Sequence, residues 1–434
     1  MGRIAPGGRT SPRIDADGYS FDIGAQFLRA TSPAMRRWAR EWVQAGVLAE
    51  WRPVLGLYDT TSGTLRRREQ LSQQELDTAA GSFFGVLSSS PDEPLFVGLP
   101  SMAALPAHLL RPQQPLQPLQ GQEPGPVSAL GAGEPAAAAV AAAAWPQVQS
   151  ARLAEGRWWL TGPPPQQQAD GMAAGGGASS GAGGGGWLGV FDALVLADSQ
   201  MARPGAPGHI SFQGAEAGSP QPCASLSMLL GRLGSSRPAP LLSLALSWDG
   251  TAHGPLLPGG AQAALLAGGG GAFQWLAEDS SKPGRSSSGL SRWVAITTTE
   301  FAAELLREAA AGGSGGGAVA GAAGAPGKGT GGLPPQDATY RVNLAERLWA
   351  ALRTELSAGG RRELPTPVRL SAQRWGSALP SAPLGQLAVC DEAARWAACG
   401  DFCAGGGLQG AAESGAAAAE AVMAMLGLGL EGER

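Results

Sequence analysis

Histidine is scarce in this chain of 434 residues: His108, His209 and His253 are the only three, and they stand far apart. That scarcity argues against a His-based nucleophilic triad and leaves no ligand spacing for a structural or catalytic metal. Cysteine is nearly as sparse. Cys223, Cys390, Cys399 and Cys403 make no disulfide framework in so long a chain, and the C-x-x-x-C spacing of the last two fits neither a redox pair nor a zinc knuckle. No uninterrupted apolar run of about 18 residues occurs, so no membrane span is expected. The formal net charge of −4 gives no sign of nucleic-acid binding.

Glycine is what the chain has in excess. It numbers 67 residues, about twice the average usage of ~7%. The surplus concentrates, with alanine, proline and glutamine, in four segments: 111–144, 163–186, 259–272 and 311–332. Such compositions bury too little apolar surface to offset ordering entropy, which predicts flexible insertions. The alanine run 136–144 is the exception and reads as a helix without a packing partner.

Between these segments short strands alternate with helices. "RWWLTG" (157–162), "WLGVFDALVLAD" (187–198), "SLALSWDG" (243–250) and "SRWVAITTT" (291–299) read as strands. "FDALVLA" is a continuous apolar run, as expected of a strand buried on both faces of a parallel sheet. Helices are predicted at 33–46, 101–110, 300–309, 340–357 and 410–426, the first with Ser32 as N-cap and Pro33 just inside it. This mixture predicts an α/β nucleotide-binding core with a β-rich second domain.

Near the C-terminus, "CGDFCAGGGLQGAAESGAAAAEAV" runs an aspartate and a glycine-rich turn into a small-residue helix. Glycines there let the backbone approach a ligand, and the unpaired N–H groups of a helix start favour an acceptor or negative charge. A tightly packed core helix behind an ordinary loop is the competing reading.

Several stretches then fall into one order: "PGGRTSPR" (6–13), "FDIGAQ" (21–26), "LFVGLPSMAALPAHLL" (95–110), "FDALVLAD" (191–198), "QWLAEDSSKPGR" (274–285), "QRWGSALPSAPLG" (373–385) and the C-terminal "GD" with its glycine-rich helix. Together they resemble the renalase-like FAD-dependent oxidoreductases of the flavin amine oxidase superfamily. The resemblance implies a Rossmann-like FAD-binding domain with a β-sheet-based α+β substrate domain. FAD-domain segments are expected at 1–30, 95–110, 145–198 and 385–434, and substrate-domain segments at 31–94 and 199–384. It implies hydride transfer from a reduced nicotinamide-like or amine donor to the flavin and then to oxygen. A relative that keeps the scaffold without catalysis, as an interaction protein, is the alternative.

By the same resemblance Gly7, Gly8 and Arg9 lie along the FAD phosphates, a task for which a guanidinium fork is suited. Gly24 and Gln26 lie beneath the flavin ring, with Ile23 where the family has histidine. Gly400, Asp401, Gly406 and Gly410 serve the ribityl chain and the pyrimidine edge, and Trp375 lines the substrate cavity. Arg374 reads as structural, and Met102 and Leu105 as core. No catalytic acid or base and no metal ligand is assigned. A small-molecule substrate is expected, and no protein partner is indicated.

The family's first strand, G-x-G-x-x-G turn and helix have no counterpart in the sequence. Two explanations are a start lying upstream by about 30 residues, the size of a βαβ unit, and loss of cofactor binding. The retained cofactor motifs favour the first. "MGRIAPGGRTSPR" also has the Arg-rich, acid-poor character of a transit peptide. That leaves a cytoplasmic or an organellar (plastid) location open.

Overall fold

The computed structural model describes residues 7–14, 18–79, 81–88, 93–111, 148–163, 186–204, 206, 208–213, 223–249, 256–268, 271–285, 289–312, 333–357 and 364–428. The alanine run 136–144 and nearly all of the segments 111–144, 163–186 and 311–332 lie outside the described residues. The chain forms two compact, discontinuous units, and both mix helices with sheets. Among the described residues no helix is long and apolar enough to cross a membrane.

The first unit comprises Met1–Ala144, Pro240–Arg307 and Pro334–Ala378. Its seven-stranded sheet runs, in spatial order, Arg369–Leu379, Ala239–Asp249, Leu290–Thr297, Phe273–Glu278, Ala263–Ala267, Leu55–Asp59 and Thr64–Arg67. From Ala239–Asp249 to Thr64–Arg67 neighbouring strands pair antiparallel, except that Ala263–Ala267 runs parallel to Leu55–Asp59. Helix Ala338–Ser357 presents Leu344, Ala345, Leu348, Trp349, Leu352 and Leu356 to the apolar core that it shares with the sheet. That spacing is one stripe of a 3.6-residue helix. Leu48–Trp51 pairs antiparallel with Leu95–Gly98, and Leu28 bridges to Phe96. Helix Pro33–Gln44 starts as expected: the Ser32 side chain accepts the Met35 N–H at 3.0 Å, and Met35, Ala39 and Trp42 are buried.

The second unit comprises Trp145–Ala239, Glu308–Leu333 and Leu379–Arg434. It holds a three-stranded sheet ordered Leu194–Leu196, Trp396–Ala398, Val389–Asp391, the first pair parallel. A four-stranded sheet runs Ser211–Gln213, Ser150–Ala154, Arg157–Gly162, Gly186–Phe191. Helices Ala224–Ser235 and Leu408–Met425 complete the unit, with a single turn at Asp401–Ala404.

Two expectations need correction. The run 187–198 is two strands, Gly186–Phe191 and Leu194–Leu196, and they belong to different sheets. The break falls at Asp192, whose carboxylate pairs with Arg157 at 2.9 Å and stays at the surface. Leu194–Leu196 is not buried on both faces either, because it is the edge strand of its sheet among the described residues and leaves Val195 47% exposed. The segment 259–272 is not simply an insertion. Ala263–Ala267 is an internal strand of the seven-stranded sheet, with Ala263, Ala264 and Leu265 buried. Small side chains suit a strand crowded on both faces, so a composition that reads as low complexity packs well there.

Candidate functional site

In the first unit the segment after Gly7 turns tightly. Gly7 stands at φ 104°, and its carbonyl accepts the Thr10 N–H at 3.0 Å and the Thr10 hydroxyl at 3.1 Å. A Cβ on Gly7 would lie 2.2 Å from Thr10 Oγ1, so only glycine fits. Gly8 is exposed and open, and Arg9 projects at the surface with Nη1 donating to the Ala378 carbonyl at 2.7 Å. The Arg9 carbonyl lies against the second glycine segment. It accepts the Ala25 N–H at 2.9 Å, and a Cβ on Gly24 would sit 1.9 Å from it.

Trp375 closes the same group from the strand Arg369–Leu379. Its Nε1 donates to the Ile23 carbonyl at 3.2 Å and to Ser243 Oγ at 2.9 Å, and its Cζ2 lies 3.4 Å from where a Gly24 Cβ would stand. Arg9, Gly24 and Trp375, far apart in sequence, thus meet around one short loop. Gln26 is turned into that loop. It is 3% exposed, and its amide donates to the carbonyls of Asp22 and Gly24. Met102 and Leu105 are 0% and 4% exposed, which bears out the core reading.

Sequence reasoning missed what lies under this loop. Asp22, Asp279, Lys282 and Arg285 form a charge-balanced cluster whose side chains are between 0% and 2% exposed. Lys282 Nζ reaches Asp279 Oδ1 at 2.8 Å and Asp22 Oδ2 at 3.3 Å, and stands 5.7 Å from the Trp51 ring centre. Arg285 pairs with Asp22 and donates to the carbonyls of Gly98 and Pro100, while Asp22 Oδ1 accepts the Met102 N–H at 3.0 Å. Four chain segments are therefore tied at one buried point. The available signal was charge inside apolar context, in "FDIGAQ" and "EDSSKPGR".

In the second unit the strand Trp396–Ala398 leads through Cys399 and Gly400 to Asp401, which is 8% exposed. Gly400 is at φ 136°, and its N–H is accepted by Ser414 Oγ at 2.7 Å. The same hydroxyl donates to the Leu387 carbonyl, so one fully buried serine joins three segments. Gly405 and Gly407 take φ of 129° and 100°, and Gly406 between them is exposed. Gly410 is packed on this turn: a Cβ there would meet the Gly405 carbonyl at 2.4 Å. Helix Leu408–Met425 starts from Gly407 with no side-chain cap. Glycine at this position has no side chain with which to take up the first N–H groups. Ser414 and Ala418, one turn apart, are its buried positions, and Ala418 packs with Ala397 and Cys399.

The Ser414 hydroxyl cannot be removed cheaply. Ser414→Ala takes the part-buried Gly400 N–H and the Leu387 carbonyl from their shared partner, and is expected to destabilise the second unit by about 1–3 kcal/mol. A chemical-denaturation midpoint unchanged from the wild type would count against this role.

The cysteines add no nucleophile to this region. Burial pushes the Cys399 thiol up and the Cys403 thiol up to about 11, so neither carries thiolate at neutral pH. Among the described residues no group of three or more His, Cys, Asp or Glu side chains is placed to hold a metal ion.

The sequence matches no protein-family profile and no curated protein. Solved structures do match. The proposed protoporphyrinogen oxidase of Exiguobacterium sp. 255-15 superposes with a TM-score of 0.50 at 9% identity, covering 96% of this chain and 90% of its own. A triple variant of putrescine oxidase, from a redesign of cofactor binding, gives a TM-score of 0.50 at 12% identity, covering 97% of this chain and 92% of its own. At these identities the likeness is one of fold, and the fold is the one on which both of these oxidases are built.

Proposed function

We propose that the chain is an FAD-dependent oxidoreductase of renalase-like type, acting on a small reduced nicotinamide-like or amine donor. The observation that carries the reading is the turn Gly400–Gly410. It joins a buried aspartate to a helix that starts from a glycine, a residue with no side chain to cap it, and Gly410 on its first turn packs directly on the Gly405 backbone. Such an N-terminus suits a group that gathers negative charge. In the first unit, considered by itself, Gly8 stands exposed and open beside Arg9, a setting that leaves bare backbone for a phosphorylated ligand.

In this reading Asp401 accepts hydrogen bonds from ribityl hydroxyls of the cofactor. Gly406 and Gly410 keep the helix N-terminus open. The second unit then corresponds in large part to the expected FAD-domain segments, and Pro240–Arg307 with Pro334–Ala378 to the substrate domain. Bound FAD supplies hydride acceptance and reoxidation by oxygen. Trp375 offers an apolar wall that orients the donor and excludes water. Its Nε1 is already bound to Ile23 and Ser243, which leaves it no acid–base part.

The test is the visible spectrum of the purified chain, desalted after incubation with FAD. Retained flavin bands are expected. Asp401→Ala should weaken retention by roughly tenfold or more, since a hydrogen bond to a charged group is worth about 1.5–3 kcal/mol. A folded wild-type chain that emerges colourless would sink the flavoprotein reading and leave a scaffold that binds partners without catalysis.

A further inference from the structure

Arg68, in the single turn Arg68–Gln70 of the first unit, is only 7% exposed, yet its Nε and Nη2 have no hydrogen-bond partner among the described residues. Buried arginine is rare without a paired anion, because desolvating a guanidinium costs several kcal/mol. The identity of the two orphaned atoms is informative. Nε–H and Nη2–H lie in the guanidinium plane along one edge, the edge that grips two oxygens of one carboxylate in parallel.

Arg29 adds a second charge to this region. It is half-buried, its Nη1 donates to the Phe84 carbonyl, and its Nε likewise has no partner. Burial lowers both guanidiniums from their usual range, and at Arg68 the charge of Arg29 adds to the effect while Glu69 and Glu93 oppose it. Glu93 is already bonded to Arg36 at 3.0 Å. Next to Arg29 the chain makes an aromatic turn in which Phe83 and Phe84 take φ of 40° and 60°. Phe83 stacks on buried Trp275 at 4.7 Å, and Phe84 is 39% exposed. Two consecutive bulky residues at positive φ are costly, and such strain collects at ligand sites.

We propose that Arg68 and Arg29 form a binding site for the carboxylate of a small molecule, with the Phe83–Phe84 turn as its aromatic wall. Arg68 supplies the two-pronged grip through Nε and Nη2, and Arg29 supplies the second charge nearer solvent. A planar carboxylate bearing a ring matches both the fork and the wall. The site is independent of the flavin reading, and no arm of its test uses flavin.

The experiment is calorimetric titration of the full chain with sodium benzoate, sodium acetate and inorganic phosphate, at ionic strength held constant with chloride. Saturable benzoate binding, tighter than acetate and phosphate, is the expected result. Arg68→Lys keeps the charge and loses the fork, and should weaken benzoate binding by at least about tenfold. If that variant does not fold, Arg29→Gln, at a half-buried position, carries the test with an expected loss of roughly three- to tenfold. A crystal soaked in benzoate should then show the carboxylate on Arg68 Nε and Nη2. Heats no different from chloride, preference for phosphate, full affinity in a folded variant, or a map with only water on these two atoms would each overturn the proposal.

Discussion

Gly24→Ala is expected to destabilise the first unit by about 3–5 kcal/mol and to remove any flavin retention with it. The new methyl would stand 1.9 Å from the Arg9 carbonyl oxygen and 2.9 Å from its carbon. Both are backbone atoms, so no side-chain rotation relieves the clash. The carbonyl cannot retreat freely, since it accepts the Ala25 N–H at 2.9 Å, and the neighbouring Trp375 is tied at its own Nε1. Overpacking alone costs about 1–3 kcal/mol, and a broken buried hydrogen bond adds a similar amount. Gly376, one residue beyond Trp375, is the control. A Cβ there meets nothing within 4 Å, and Gly376→Ala should stay within about 0.5 kcal/mol of the wild type. Urea unfolding of the two variants checks the contrast, and equal midpoints would refute the close approach.

Lys282→Met is expected to cost about 3–5 kcal/mol, the usual penalty for stripping one partner from a buried ion pair. Asp279 and Asp22 would keep Arg285 but lose the ammonium that lies 2.8 Å and 3.3 Å from them. The informative partner experiment is the double variant Asp279→Asn with Lys282→Met, which removes one charge of each sign. If charge balance is what the cluster needs, most of the lost stability returns in the double variant, as a favourable coupling in a mutant cycle. Additive losses would instead mean that each hydrogen bond is individually required. Denaturant midpoints with unchanged slopes separate these cases.

How much of this was legible depended on the range of the interaction. Helices Pro33–Gln44 and Ala338–Ser357 were readable because local signals agree: a serine cap with proline in one, a long apolar stripe in the other. Arg157–Gly162 was readable because Trp158, Trp159 and Leu160 favour strand and a glycine ends the run. Helix Ala224–Ser235 escaped notice although Leu226, Leu229 and Leu233 are spaced for one face, since serine and glycine between them weaken the propensity. Ala263–Ala267 was hidden by composition, because only the neighbouring strands make alanine a good core residue there.

The site divides in the same way. Glycines at 7, 24, 400 and 410 announce themselves, because a bare backbone position leaves a mark in the sequence whatever it serves. The pairing of Asp22 with Lys282, 260 residues apart, leaves none. Nothing local tells a buried lysine from a solvated one. The orphaned edge of Arg68 was invisible for the same reason, in a stretch of consecutive arginines that reads as surface.

The parallel pairing of Leu194–Leu196 with Trp396–Ala398 has a consequence for biosynthesis. At ordinary elongation rates of about 5–20 residues per second, the partner strand leaves the ribosome roughly 10–40 s after the first. Over that interval Leu196 and Trp158 lack their cover, for Trp158 Nε1 donates to the carbonyls of Ala394 at 2.9 Å and Arg395 at 3.2 Å, both made late. The second unit therefore carries uncovered apolar surface until Trp396 has been made, and a premature stop before Trp396 would leave Leu194–Leu196 without its parallel partner.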